Sequence, residues 1–199
     1  MIILGIDPGP TKSGWCEVEC SGEGGLILPK WWGQDTNQEV LLLASTIGAR
    51  DAQHVAIEKV VNYGRAVGKD VFEQVFWTGR FFEAAGGDAA RASRYSRPEV
   101  CLAVCGITKA TKAEVRQGLI DIYGGEEVAI GGKKCWKCKG KGWFGAGRPV
   151  CPECGGKKFE TPPGPLYGMT GPHAWDAFAV AWKAAKDGRG MWLLGITTT

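Results

Sequence analysis

The stretch Met1-Ile2-Ile3-Leu4-Gly5-Ile6-Asp7-Pro8-Gly9 constrains the fold of this chain more than any other. Its apolar run has no polar alternation, which suits a strand covered on both faces. The run ends in a carboxylate, and Pro8-Gly9 then turns the chain. Gly14-Trp15-Cys16-Glu17-Val18-Glu19-Cys20 reads as the returning strand. A charge at the end of a buried strand is costly unless a partner, a hydrogen bond or a metal compensates it. Asp7 is therefore either a turn-capping residue or a metal-binding carboxylate at the centre of a sheet, and alone it does not decide between them.

A second strand end repeats the pattern. Val55-Ala56-Ile57-Glu58-Lys59-Val60 is an apolar run arriving at a carboxylate, Glu58. Two acids delivered from the interior shift the balance toward a shared site. Between them, Gly25 to Gly33 supplies a third strand, and Pro29 places it at an edge or a bulge. The first three strands form a meander. Asp35 or Thr36 caps a helix through about Gly48, with Val40, Leu43, Ala44 and Ile47 on its buried side.

Gly68 to Ala85 is a helix carrying Val71, Phe72, Val75, Phe76, Trp77, Phe81 and Phe82. That is more apolar surface than one sheet face requires, so the helix is either buried on all sides or a subunit interface. A fifth strand covers Ala92 to Ser96. Pro98 opens a short helix through Val104 that Gly106 closes. Thr111-Lys112-Ala113-Glu114 is a capping box that starts a helix to about Tyr123. Cys16, Cys20, Cys101 and Cys105 read as small buried hydrophobes. The last helix, His173 to about Lys186, places His173 and Asp176 three residues apart on one face near its N-terminus.

At 199 residues the chain can hold one domain with a sizeable core and a small appendage. It has no apolar run long enough for a membrane span and no signal-peptide layout, so the expectation is a cytoplasmic protein. The net charge is only +3, but the segment Gly132 to Glu160 carries +6. Lys133, Lys134, Lys137, Lys139, Lys141, Arg148, Lys157 and Lys158 stand there against Glu153 and Glu160. Such a concentration is either a solvated loop or the footprint of phosphate contact.

The same segment contains Cys135-x-x-Cys138 and, after twelve intervening residues, Cys151-x-x-Cys154. Two thiolate pairs on tight turns can complete a tetrahedral zinc site, with two disulfides or redox dithiols as the alternatives, and a closed four-cysteine shell would make that zinc structural. Gly140, Gly142, Gly155 and Gly156 permit the turns. The Cys-x-x-Cys-x-Gly-x-Gly pattern at Cys135 locally resembles the zinc repeats of DnaJ chaperones. An insertion over 132–160 has too small a core to fold unaided, so the metal supplies its folding energy. Thr161-Pro162-Pro163-Gly164-Pro165 closes it as a stiff linker.

Taken in order, the pieces resemble the RuvC family of Holliday junction resolvases. The matching residues are Gly5-Ile6-Asp7-Pro8-Gly9 with Gly14-Trp15, then Ile57-Glu58-Lys59-Val60 and Tyr95-Ser96-Arg97-Pro98-Glu99-Val100. Val104-Cys105-Gly106, Ala110 to Val115, and His173-Ala174-Trp175-Asp176 with Ala177 to Ala181 complete the set. The resemblance spans the chain except for the cysteine-containing insert and the tail. It implies an α/β fold, an RNase H-like five-stranded mixed sheet flanked by helices, over 1–131 and 161–199. It also implies a homodimer making Mg²⁺-dependent paired nicks in four-way DNA junctions.

By position, Asp7, Glu58, His173 and Asp176 would be the catalytic set, holding two Mg²⁺ (or Mn²⁺) ions per active site. His173 falls where many members carry Asp. One structural Zn²⁺ per chain would be held by the four cysteines, an insert more like phage-encoded relatives than the usual bacterial enzyme. The family often places an aromatic shortly after the Glu; Val61 stands nearest that position and Tyr63 is the closest aromatic. Tyr63, Arg65, Lys109 and Lys112 join the basic residues of the insert as the candidate DNA contacts.

Three other functions fit parts of the pattern. A nuclease for forks, flaps or other branched DNA would use the same acids. A phosphotransferase of the actin and sugar-kinase superfamily would explain Gly5 to Gly14 as a phosphate loop, although the chain is short for two such lobes. A non-catalytic zinc protein that binds DNA would leave the aligned acids without a role.

Overall fold

Ile3, Leu4 and Ile6 are fully buried, as an apolar run covered on both faces requires. In the computed structural model, which describes residues 1–21, 25–48, 53–62, 64, 66–143, 149–159 and 161–188, they belong to the central strand of a mixed sheet. The strands are β1 (Ile2–Asp7), β2 (Lys12–Cys20), β3 (Ile27–Thr36), β4 (Gln53–Lys59) and β5 (Ala92–Ser96), in the order β3-β2-β1-β4-β5. The first three form the expected antiparallel meander, while β4 and β5 add in parallel. The edge strand β3 carries Pro29, and the ladder shifts between Glu17 and Val18 where Pro29 pairs. A proline cannot donate to the ladder, so edge and irregularity fall together.

One face of the sheet is covered by α1 (Asn37–Gly48) and α2 (Lys69–Ala84). Leu4, Ile6, Val55 and Ile57 meet Val40, Ala44, Ile47 and Phe81 in a single core. Thr36, not Asp35, caps α1: its hydroxyl accepts from Glu39 N–H while Glu39 accepts from the Thr36 backbone. On α2, Phe81 is buried, and Trp77 and Phe82 lie against the core. Phe72 and Phe76 remain 63% and 55% exposed, so within one chain this helix is not buried on all sides.

The opposite face is covered by α6 (Pro172–Lys186), buried almost continuously from Ala174 to Trp182. Gly5 makes this possible. A Cβ there would collide with the Ala177 carbonyl oxygen and lie 2.9 Å from Ala181 Cβ. At Gly14 a Cβ would lie 2.5 Å from the His173 carbonyl oxygen. Each absent side chain lets α6 approach the backbone of the sheet. Between β5 and α6 come α3 (Arg97–Cys105) and α4 (Lys112–Ile122). Ser96 and Glu99 form a capping box on α3, and Gly106 ends it in the left-handed region at φ 72°. Of the cysteines expected inside, Cys16, Cys20 and Cys101 are buried and Cys105 is half-buried.

Backbone contacts divide the chain into two compact units, 1–118 with 169–199 and Leu119–Gly168. The second unit includes a short helix the sequence did not announce, α5 (Glu126–Ala129). It also contains isolated bridges Gly131↔Pro163, Lys134↔Phe159 and Trp143↔Val150. The proline-rich stretch is not a free spacer. Gly164 N–H donates to Ile130 O at 2.8 Å and Leu166 N–H to Ala129 O at 2.8 Å, tying it to the residues around α5. Among the described residues no helix is long and apolar enough to cross a membrane.

Candidate active site and metal centres

Asp7 is placed by β1 and held by the loop that follows it. Gly9 N–H donates to Ser13 Oγ at 3.2 Å, Ser13 Oγ donates to Asn37 Oδ1 at 2.7 Å, and Asn37 Nδ2 donates to Gly9 O at 3.1 Å. Ser13 and Asn37 are buried, so this closed circuit fixes the Pro8-Gly9 turn against the start of α1. Neither is marked in the sequence, because a serine at a strand start and an asparagine at a helix start carry no signal until the fold brings them together.

Close packing of α6 on Gly5 and Gly14 delivers the other ligands. His173 Nδ1 and Asp7 Oδ2 are 2.8 Å apart. Ligand atoms of Asp7, His173 and Asp176 all lie within 4.8 Å of one another. Glu58 stands outside that trio, at the same end of the sheet on the neighbouring strand β4. A cleft of about 260 Å³ joins it to Asp7 and Arg97, with Pro8, Val60 and Gln74 in its wall. All four acid and histidine positions expected from the sequence thus reach one end of the sheet.

Two cations enter among these acids. Arg97, the first residue of α3, donates to Asp176 Oδ1 at 2.6 Å and lies 3.9 Å from Glu58 Oε2. Lys112, at the start of α4, pairs with Asp176 Oδ2 and lies 4.0 Å from Asp7 Oδ2. Lys112, a candidate DNA contact, is in this DNA-free chain an ion-pair partner of the acidic cluster. Arg97 lies within the Tyr95 to Val100 motif, and nothing local in the sequence marks it as a partner of a residue 79 positions away. Lys109 lines an apolar groove with Val60, Val61, Val71 and Cys101. Tyr63, Arg65 and Arg148 lie outside the described residues, as does the tail from 189.

The electrostatics follow from burial and charge. Burial, then the nearby Asp7 charge, pushes the Glu58 carboxyl up to about 8, with Arg97 opposing. The hydrogen bond to Asp7 raises the His173 pKa above its ordinary value. Glu58 Oε2 is buried with no hydrogen-bond partner among the described residues. A buried carboxylate oxygen without a hydrogen bond is costly, and a divalent cation would satisfy it. Carboxylate oxygens with one imidazole suit Mg²⁺ or Mn²⁺.

The second cluster is Cys135, Cys138, Cys151 and Cys154, all buried. Cys135 Sγ lies 3.9 Å from Cys151 Sγ, and Cys138 Sγ lies 3.7 Å from Cys154 Sγ. Four sulfurs on a tetrahedron with zinc–sulfur bonds of ~2.3 Å would be about 3.8 Å apart. The two turns are built alike. Lys139 N–H donates to Cys135 O and Lys141 N–H to Cys138 O; Gly155 N–H donates to Cys151 O and Lys157 N–H to Cys154 O. Gly142 N–H also points to Cys138 Sγ at 3.3 Å. These residues fit a zinc ion.

No protein-family model and no curated protein matches the chain. Solved structures do. The structure of Thermus thermophilus RuvC matches 95% of this chain and 98% of its own, with a TM-score of 0.54 and 19% identity. The fold is that of RuvC. A second structure, Thermus thermophilus RuvC in complex with a Holliday junction substrate, matches 95% of both chains at a TM-score of 0.57 and 20% identity. The five-stranded mixed sheet and its flanking helices are thus those of the RuvC fold.

Proposed function

We propose that this protein is a structure-selective endonuclease that resolves four-way DNA junctions by paired, Mg²⁺-dependent nicks. One observation carries the reading: on a RuvC fold, Asp7, Glu58, His173 and Asp176 converge from β1, β4 and α6, and the buried Oε2 of Glu58 makes no hydrogen bond among the described residues. Asp7, Glu58, Asp176 and His173 would hold two Mg²⁺ ions. When bound, such a pair activates a water and stabilises the leaving oxygen of the phosphodiester. The chain's own residues do the rest. Asp7 holds the His173 ring through Nδ1, which leaves Nε2 as the nitrogen that would bind a metal or position a water. Arg97 and Lys112 supply positive charge beside a cluster that must accept an anionic phosphate.

Two active sites are needed for paired cuts. A four-way junction has two-fold symmetry, and a two-fold homodimer matches it. The exposed Phe72, Val75 and Phe76 on α2 are the proposed interface. The four thiolates are assigned one structural Zn²⁺ per chain.

The test compares fluorescent four-way, forked and duplex DNAs in Mg²⁺ and in EDTA. Symmetric cleavage of the four-way substrate in Mg²⁺ alone is expected. Preferential cutting of forks would assign a broader branched-DNA nuclease, and no cutting of any substrate would remove the catalytic reading.

A further inference from the structure

We infer that the four-cysteine unit is a second nucleic-acid site, one that holds unpaired DNA bases on Trp136 and Trp143. The inference rests on the proposed action on branched DNA only for the nature of the ligand. Its residues are separate from the acidic cluster.

Between residues 132 and 159 the buried hydrophobic residues are the four cysteines themselves, among those described. Among its described residues no aliphatic or aromatic side chain is buried. Trp136 is 66% exposed and Trp143 is 36% exposed. Trp136 sits inside the first Cys-x-x-Cys turn, between two residues that the metal would fix. Trp143 is held by its bridge to Val150 and by the Cys151 N–H bond to Gly142 O at 3.1 Å. Both rings are thus mounted on the parts of the unit that zinc would make rigid. Indole faces presented on a rigid frame are stacking platforms, and every base has a face to stack.

Charge supports the same ligand. The Lys137 ammonium lies 6.0 Å from the Trp136 ring centre, and the Lys141 ammonium lies 5.3 Å from that of Trp143. Seven lysines, Lys133, Lys134, Lys137, Lys139, Lys141, Lys157 and Lys158, stand against Glu153 alone among the described residues of this stretch. Lys139 and Lys158 even occupy the left-handed region, at φ 50° and 72°, where glycine is the usual choice. An aromatic surface surrounded by cations fits a strand whose bases are unstacked and whose backbone is anionic. Fully paired duplex hides its base faces and would engage the lysines alone.

The experiment uses the full-length Asp7→Asn protein, so that cleavage does not consume the substrate, in buffer without chelator. Binding to a fluorescent oligothymidylate, a duplex and a four-way junction is measured by anisotropy across a salt series. Trp136→Leu with Trp143→Leu should weaken oligothymidylate binding about ten- to a hundredfold while leaving the duplex nearly unchanged. Trp136→Phe with Trp143→Phe keeps an aromatic face and should retain most of the affinity. Replacing Lys139, Lys141, Lys157 and Lys158 by Ala should instead lower the salt slope for every DNA, by roughly 3–4 units. Zinc per chain, read by elemental analysis, should stay at wild-type content in all of these variants. Should the leucine pair shed its zinc, the phenylalanine pair decides. Equal loss of single-strand binding in leucine and phenylalanine variants, or undiminished binding in the zinc-loaded leucine variant, would overturn the proposal. Neither result touches the nuclease reading, which stands or falls on Mg²⁺-dependent cleavage.

Discussion

The Arg97 guanidinium donates to Asp176 Oδ1 at 2.6 Å, and Asp176 is only 2% exposed. A fixed positive charge therefore already compensates a carboxylate that the proposed metal ions must engage. Its 3.9 Å separation from Glu58 Oε2 extends that compensation to a second acid. On this geometry Arg97 would stabilise the metal-free protein and compete with an incoming cation.

Replacing it should separate these effects. Arg97→Gln leaves a buried carboxylate with Lys112 alone, at a cost of ~1–3 kcal/mol to metal-free stability. Mn²⁺ should bind on the order of tenfold more tightly, equivalent to ~1.4 kcal/mol. Calorimetric titration with Mn²⁺ and thermal melts without it check both. Unchanged Mn²⁺ affinity would show that Arg97 and the ions do not share the carboxylates.

Glu58 makes stability depend on pH in a definite direction. Its carboxyl is pushed up to about 8 in the fold, so between about pH 5 and 8 the folded protein holds a proton that the unfolded chain has released. Metal-free stability should fall as pH rises through this window, by up to ~1.4 kcal/mol per unit. His173, also raised, contributes stability that is lost in the same direction. Glu58→Gln cannot ionise and should flatten the Glu58 share. Added Mg²⁺ favours the ionised carboxylate, so its stabilising effect should grow with pH. Melts at pH 5, 6, 7 and 8, with and without Mg²⁺, would expose the error if wild type and Glu58→Gln had the same slope.

Among the acids, Asp7→Asn, Glu58→Gln and Asp176→Asn should each lower junction cleavage by on the order of a thousandfold, ~4 kcal/mol of transition-state stabilisation. Junction binding should persist or strengthen, because a negative charge facing phosphate is removed. His173→Ala should lose far more activity than stability, and His173→Asp should retain some. Gel assays of cleavage and binding on the same preparations distinguish a chemical defect from a folding defect. Wild-type cleavage by His173→Ala would confine that residue to its contact with Asp7.

Helix α2 offers a test of assembly. Phe72→Glu with Phe76→Glu changes exposed positions, so the monomer fold should survive while a dimer built on this face should dissociate. Light scattering should report halved mass and cleavage assays should report unpaired nicks. A wild-type protein that is monomeric with and without junction DNA would reject the interface.

Much of the architecture was determined locally. The unbroken apolar runs before Asp7 and Glu58, Pro29 at an edge, Pro98 at the start of α3, the Thr111 capping signal and Gly106 after α3 each act within a few residues. Their elements can therefore be read from composition and spacing. The paired Cys-x-x-Cys turns are equally local, because each knuckle closes through its own backbone. The sequence could also order Asp7, Glu58, His173 and Asp176 along the chain. Only the tertiary structure decided how they meet. Gly5 and Gly14 lack the atoms that would hold α6 away, and this brings His173 to 2.8 Å from Asp7 across 166 positions. The Ser13–Asn37 circuit, the entry of Arg97 and Lys112 among the acids, and the raised affinity of Glu58 for its proton arise from the same convergence. Hydrogen bonds and burial depend on which distant side chains share a space, and no local pattern encodes that.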